Sequence, residues 1–164
     1  MSLENKNGSC PTCGKPKRQR TGDPDAKITL FGPSDKKQLI EEFVQKFKDD
    51  MTLTQNIAVF YISANTQRVQ TKIKDVMKEE IKKQLEGGNK VIFLLVNYGQ
   101  VAEVYDLTKL KPIIYNNHEF SEHLMLGQIL YSRDDGESFK LFNDDLARTN
   151  QATVDKIKSF IEKN

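Results

Sequence analysis

The sequence predicts an α/β protein with a three-layer α/β/α architecture, and three features of its 164 residues lead to this prediction. Residues 57–62 and 91–96 are uninterrupted apolar runs, which are typical of central strands covered on both faces. A segment whose apolar residues recur at helical spacing precedes each run. Because helices alternate with strands, short right-handed crossovers would place three parallel strands side by side in a β-α-β-α-β core.

The first half of the chain supplies this core. The first strand is predicted at residues 27–31, where Gly32-Pro33 closes it. Ser34 is a suitable N-cap for the first helix, and Asn65 or Thr66 for the second, which Gly87-Gly88 ends. The apolar residues of the first helix recur at helical spacing: Leu39, Ile40, Phe43, Val44 and Phe47.

The second half is predicted to add antiparallel strands, which makes the sheet mixed, and a C-terminal helix. Residues 101–107 and 113–115 resemble short strands, and Pro112 favours an edge position for the second. Residues 128–132 and 138–142 flank Asp135-Gly136, a typical hairpin turn. Residues 118–126 fit a short helix or a strand. The final helix carries an apolar stripe of Val154, Ile157, Phe160 and Ile161.

The charge of the chain is unevenly distributed. Lysine and arginine number 25 and acidic residues 23, so the net charge is +2. Residues 1–26 hold five basic and three acidic groups, and residues 27–164 hold twenty of each. We therefore expect a flexible basic tail over residues 1–26 and a single α/β domain over residues 27–164. This balance excludes a strongly basic nucleic-acid-binding domain, and two cysteines exclude a disulfide framework.

The sequence shows neither a secretory signal nor an apolar run long enough to span a bilayer. We therefore expect a soluble intracellular protein, cytoplasmic or nuclear, with no membrane partner. Its oligomeric state is open.

The tail contains a metal-ligating motif, Cys10-Pro-Thr-Cys13, in which two thiolates can bind one Zn²⁺. The motif resembles one knuckle of a zinc ribbon. The two histidines of the chain, His118 and His123, have the spacing of the other half of a Cys2His2 site. The alternatives are a zinc ion shared between two chains, or reduced cysteines and surface histidines without metal. The motif also resembles the glutaredoxin active site, although Gly14-Lys15-Pro16 follows it here where that family has a helix.

Basic residues follow the second cysteine: Lys15, Lys17, Arg18 and Arg20. Such a cluster can contact phosphates of a nucleic acid or acidic groups of a protein, and it can equally be a solvated arm. The first functional hypothesis is therefore a non-enzymatic macromolecule-binding or regulatory protein, in which zinc organises a basic tail.

The second hypothesis places a small ligand, such as a nucleotide or phosphate compound, at the carboxyl ends of the parallel strands. The polar residues of the strand-end loops are its candidate ligands: Ser34, Asp35, Asn65, Thr66 and Asn97. The same residue types also serve as helix caps and turn formers. The sequence has no phosphate-binding glycine loop, dinucleotide fingerprint or nucleophile elbow, which favours binding over catalysis.

Overall fold

The computed structural model describes residues 26–49, 51–63, 73–98, 107–133, 139–141 and 145–162. Strands and helices alternate through most of this chain, which confirms the α/β class. The strands are β1 (Ile28–Phe31), β2 (Ile57–Ser63), β3 (Lys90–Tyr98), β4 (Leu124–Arg133) and β5 (Phe139–Lys140). The helices are α1 (Lys37–Lys48), α2 (Asp75–Glu86), α3 (Leu107–Ile114) and α4 (Asp145–Glu162).

The strands lie in one sheet in sequence order, β1-β2-β3-β4-β5. The first four are parallel, and the predicted parallel β-α-β-α-β core is therefore confirmed. The register places Ile57 beside Lys90 and Val91 beside Leu124. β2 is buried from Ile57 to Ile62, and β3 from Lys90 to Asn97. The two apolar runs are thus the central strands, as their composition predicts.

Alternate residues of the strands contribute to two separate clusters of buried side chains. One contains Ile57, Val59 and Tyr61 of β2 together with side chains of α1 and α4. The other contains Ala58, Phe60 and Ile62 together with side chains of α2 and α3. Because successive side chains of a strand point to opposite faces, α1 and α4 pack on one face of the sheet and α2 and α3 on the other.

The faces on which the helices pack determine the relative handedness of the crossover connections. The chain steps across the sheet in one direction from β1 to β4. Its first crossover, through α1, passes over one face, whereas the next two, through α2 and α3, pass over the other. The first crossover therefore has the opposite hand to the other two. The prediction of right-handed crossovers throughout is wrong for at least one of them, although about 98% of such units are right-handed.

The predicted edge strand at residues 113–115 is wrong, because residues 107–114 form the helix α3 with Pro112 inside it. Leu107, Leu110 and Ile114 fall on one stripe at helical spacing and pack in the cluster with α2. Burial of this stripe outweighs the helix-breaking tendency of the proline. Residues 101–106 of the other predicted short strand lie outside the described residues.

Residues 128–131 of the predicted hairpin strand belong to β4, which is parallel to β3 over eight residue pairs, while Ser132 pairs antiparallel with Lys140 as the hairpin predicts. A 3-10 turn, Ser121–His123, precedes β4, so residues 118–126 divide between a turn and a strand. The two residues of β5 pair antiparallel with the end of β4, at Ser132 and Arg133. The predicted turn at residues 135–136 lies outside the described residues.

Two helix starts differ from the predicted caps. Ser34 begins a 3-10 turn, Ser34–Lys36, and the N-cap of α1 is Lys36. The N-cap of α2 is Lys74, while Asn65 and Thr66 lie outside the described residues. The predicted stop at Gly87-Gly88 is confirmed, since Gly88 has a φ of 92°, in the left-handed region that glycine adopts without strain.

In the described ranges, no helix has the length and apolar composition needed to cross a membrane.

Candidate functional site

A cavity of about 640 Å³ opens at the carboxyl ends of β1 and β2, beside the first turns of α2. The carboxyl ends of parallel strands are the usual location of ligand sites in such sheets. The residues that line it come from β1 and the turn after it, from β2 and from α2: Phe31, Gly32, Pro33, Asp35, Phe60, Ile62, Ser63, Lys74, Val76, Met77 and Glu80.

The floor of the cavity is apolar. Phe31 stacks on Phe60 with ring centroids 4.6 Å apart and an angle of 12° between the ring planes. On this face of the sheet, β1 contributes only Phe31 to the cluster of apolar residues, and Phe31 is partly buried. Val76 on the first turn of α2 leaves 81% of its surface exposed. The cavity therefore presents apolar surface that the described part of the chain leaves accessible.

The turn after β1 is held in place by Tyr61, which points to the opposite face. The Tyr61 hydroxyl donates a hydrogen bond of 3.1 Å to the Pro33 carbonyl oxygen. A Cβ atom on Gly32 would lie 2.6 Å from the Tyr61 ring and from its carbonyl oxygen, so only glycine fits here. Burial raises the pKa of Tyr61, and Glu41 and Asp35 raise it further. The hydroxyl therefore stays protonated and able to donate at neutral pH.

The charges at the rim are unequally compensated. Asp35 accepts a hydrogen bond of 3.0 Å from the Lys36 ammonium, and Glu80 accepts one of 3.0 Å from the Gln84 side-chain amide. The Lys74 side chain is exposed, and its ammonium has no partner among the described residues. Lys74 occupies the N-cap of α2, where no side-chain hydrogen bond caps the helix. Asp35 is thus paired with a cation, whereas Glu80 keeps its negative charge because its partner is a neutral amide, and Lys74 is the one cation among the described lining residues.

Of the three strand-end residues in the prediction that the structure describes, the cavity includes one. Asp35 lines it, whereas the neighbouring Ser34 is exposed and does not. Asn97 is 6% exposed and accepts a hydrogen bond of 3.0 Å from the Gln128 side-chain amide. Asn65 and Thr66 lie outside the described residues, so their part of the prediction stays open.

The residues that sequence analysis missed are mainly apolar. Phe31, Phe60 and Met77 look like ordinary core positions in the sequence, because their periodicity is that of the strand or helix that carries them. Lys74 recurs with Lys78 and Lys82 at four-residue spacing, which is typical of a solvated helix face, so the sequence does not set it apart. A signal was present in Val76, because the residues three and four positions after it, Glu79 and Glu80, are charged and set it apart from the apolar stripe of the helix.

Of the predicted zinc ligands, only the two histidines lie among the described residues. His118 is exposed, and His123 is partly buried with its ring centroid 6.2 Å from that of Phe120. Cys10 and Cys13 lie outside the described residues. Among the residues that the structure places, no group of three or more histidine, cysteine or acidic side chains could hold a metal ion. The described chain thus contains at most the histidine half of the predicted site.

Comparison with known proteins finds no matching family model, no matching curated protein and no matching solved structure.

Proposed function

We propose that the chain is a ligand-binding α/β protein whose ligand combines a planar apolar part with one anionic group, as nucleotides do. The observation that carries the proposal is the cavity at the carboxyl ends of β1 and β2. Its volume of about 640 Å³ lies within the range of about 300–1,000 Å³ of small-molecule sites.

The apolar part of the ligand is assigned to the floor. Phe31 and Phe60 already form an offset stack, and a third ring extends such a stack favourably. Met77 and Ile62 line the same space and are the side-chain types that pack against a flat ring.

The anionic group is assigned to the rim at Lys74. Lys74 is the only cation among the described residues that line the cavity, and Asp35, one of the two lining carboxylates, is paired with Lys36. The amide groups at the start of α2 lie beside it and add a positive partial charge. We assign no catalytic residue, and the proposed role is binding.

The experiment is a calorimetric titration of the full chain with adenosine 5′-monophosphate, adenosine and inorganic phosphate. We expect the nucleotide to bind more tightly than either part. Lys74→Gln should weaken nucleotide binding about fivefold, the effect of one exposed ion pair, and leave adenosine binding unchanged. Val76→Glu should weaken nucleotide binding further, because it adds a negative charge to the cavity wall at an exposed position.

Lys82→Gln is the matched control, because Lys82 is an exposed lysine of α2 that does not line the cavity. If no member of the panel binds at millimolar concentration, or if Lys74→Gln and Lys82→Gln behave alike, the assignment of the anionic group is wrong.

A second proposal concerns the tail: zinc bound by Cys10, Cys13, His118 and His123 organises a basic segment that contacts a protein or a nucleic acid. Its support is the clustering of Lys15, Lys17, Arg18 and Arg20 directly after the cysteine pair, and the exposure of His118. Elemental analysis of the purified chain should find about one zinc ion per chain. The ion should be lost in a Cys10→Ser, Cys13→Ser variant and in a His118→Ala, His123→Ala variant. Retention of zinc in the histidine variant would instead indicate a site shared between two chains.

We also propose that the domain has the predicted three-layer α/β/α architecture, with β5 making the sheet a mixed one. The two clusters of buried side chains and the antiparallel pairing of β5 with the end of β4 support this.

A further inference from the structure

The outer edge of β4 is closed over its second half by buried polar side chains of α4. The Leu130 amide donates to the Asn150 side-chain oxygen at 2.9 Å, and the Leu130 carbonyl accepts from the Asn150 amide at 2.7 Å. The Gln128 carbonyl accepts from the Thr153 hydroxyl at 2.9 Å. Ser132 pairs with Lys140 of β5. Each of these backbone groups would otherwise be an unpaired edge group.

Among the described residues, the first half of the same edge has no such cover. Backbone groups of a parallel strand alternate between its two neighbours, so residues 124 and 126 face outward like Gln128 and Leu130. In the described part of the chain, nothing is bonded to the outward amide and carbonyl of Leu126. Its side chain is 7% exposed and packs in the cluster with α2 and α3, so the open feature is the backbone edge.

A trough of about 560 Å³ runs beside this open edge. Its walls are Met125 of β4 and the outer side of α4: Ala152, Asp155, Lys156, Ser159 and Phe160. Apart from the adjacent pair Asp155 and Lys156, these residues carry no charge. The trough therefore combines an apolar floor with one acid and one base.

We propose that this edge and trough form the interface of a two-fold dimer, in which the β4 strands of two copies pair antiparallel. A two-fold axis makes paired edges antiparallel and presents the same patch from both copies. Self-complementary charge favours a second copy as the occupant, since Asp155 of each copy then faces Lys156 of the other. The pairing would satisfy the backbone groups of Leu126 that α4 leaves open.

The charge test uses sedimentation equilibrium of the full chain. We expect a reversible dimer, and we expect Asp155→Lys and Lys156→Asp each to weaken it about tenfold, because each creates two reciprocal like-charge contacts. The double variant D155K/K156D should restore the wild-type dissociation constant to within about threefold, because the charges remain complementary. Lys82→Asp, on the opposite face of the sheet, is the control and should change nothing.

The backbone test measures amide hydrogen exchange by NMR at two protein concentrations that bracket the dimer dissociation constant. The Leu126 amide should become more protected at the higher concentration. The amides of Met125 and Gly127, which face β3, should be equally protected at both. A monomeric wild-type chain with rapid exchange at Leu126 would overturn the proposal and leave the edge available to an extended peptide of another protein. The proposal would equally be overturned if the single charge reversals did not weaken the dimer, or if the Leu126 amide stayed unprotected in the dimer. Either result would place the interface elsewhere.

Discussion

Lys90 is a buried cation at the start of β3, and replacing it tests how the C-terminal helix is held on the sheet. Its side chain is 4% exposed. The ammonium donates hydrogen bonds of 2.7 Å and 3.0 Å to the carbonyl oxygens of Phe160 and Ile161 in the last turn of α4. It also lies 5.2 Å from the centre of the Phe160 ring. One side chain therefore supplies partners for carbonyls that a helix end leaves unpaired.

The perturbation is Lys90→Met, which keeps an unbranched side chain one atom shorter and removes the ammonium with its charge. Hydrogen bonds from a charged donor contribute about 1.5–3 kcal/mol each, and a cation at a helix C-terminus adds about 0.3–1 kcal/mol. Desolvation of the ammonium, which methionine avoids, offsets several kcal/mol of that gain. We expect the free energy of unfolding to fall by about 2–3 kcal/mol, the cost of leaving two buried carbonyls partly unpaired.

The assay is urea unfolding followed by circular dichroism, with a thermal scan as a second reading. The midpoint should fall at an unchanged m-value, and Tm should drop by about 5–10 °C. Lys82→Met, at an exposed position of α2, is the matched control and should change the free energy by less than about 0.5 kcal/mol. Equal effects of the two substitutions would refute the reasoning, because water would then be satisfying the carbonyls equally well.

Three further substitutions are expected to change the free energy of unfolding measured by urea denaturation. Gly32→Ala should destabilise by about 1–3 kcal/mol, because its Cβ would overlap Tyr61; an unchanged midpoint would mean that the turn shifts freely. Asn150→Ala should cost about 2–4 kcal/mol, since its fully buried amide bonds to Leu130 and to the Leu141 carbonyl, and a loss below about 1 kcal/mol would contradict the edge-capping role. Tyr115→Phe should be neutral or stabilising at pH 7, because the buried hydroxyl has no well-formed hydrogen bond to the described residues, although the backbone of Phe120 lies near enough to lower its pKa. Burial raises the pKa of Tyr115 above its usual value of 10.0, so the unfolded state loses the proton first and stability should fall as pH rises past about 10. This fall in stability with pH should be shallower in the Tyr115→Phe variant than in the wild-type chain. Identical slopes in the two proteins would refute its assignment to Tyr115.

The parts of the fold that the sequence predicts are those in which local pattern and tertiary burial agree. The apolar runs of β2 and β3 leave no alternative to central strands, and the stripe of α1 predicts each of its buried residues. The helix α3 was missed because Pro112 argues locally against a helix. Only packing of Leu110 and Ile114 against the other elements decides otherwise.

The direction of β4 was likewise not readable from its residues. An apolar strand before Asp135-Gly136 fits a hairpin, and it fits a parallel strand that follows a crossover. The choice depends on the register with β3, where Leu124 lies beside Val91. Nothing within residues 124–133 encodes that neighbour.

The candidate site also contains residues that the local sequence pattern predicts and residues that only the tertiary arrangement reveals. Asp35 was predictable because polar residues after a parallel strand mark the ligand edge of the sheet. Phe31 was not predictable, because its place in the cavity wall depends on its tertiary neighbours. These are Phe60, on which it stacks, and the first turn of α2. Asn97 had the predicted position and chemistry, but its side-chain oxygen is engaged by Gln128.

The opposite hands of the crossovers have a consequence for the order in which the chain assembles. The face covered by α2 and α3 is built from elements that are consecutive in the chain, so its contacts join residues that are close in sequence. The face covered by α1 and α4 joins two helices separated by all the elements between them, and closing so long a loop costs more entropy before any contact forms. We expect the first face to form early. The cluster beneath α1 and α4 should set the folding rate and should be the first to open.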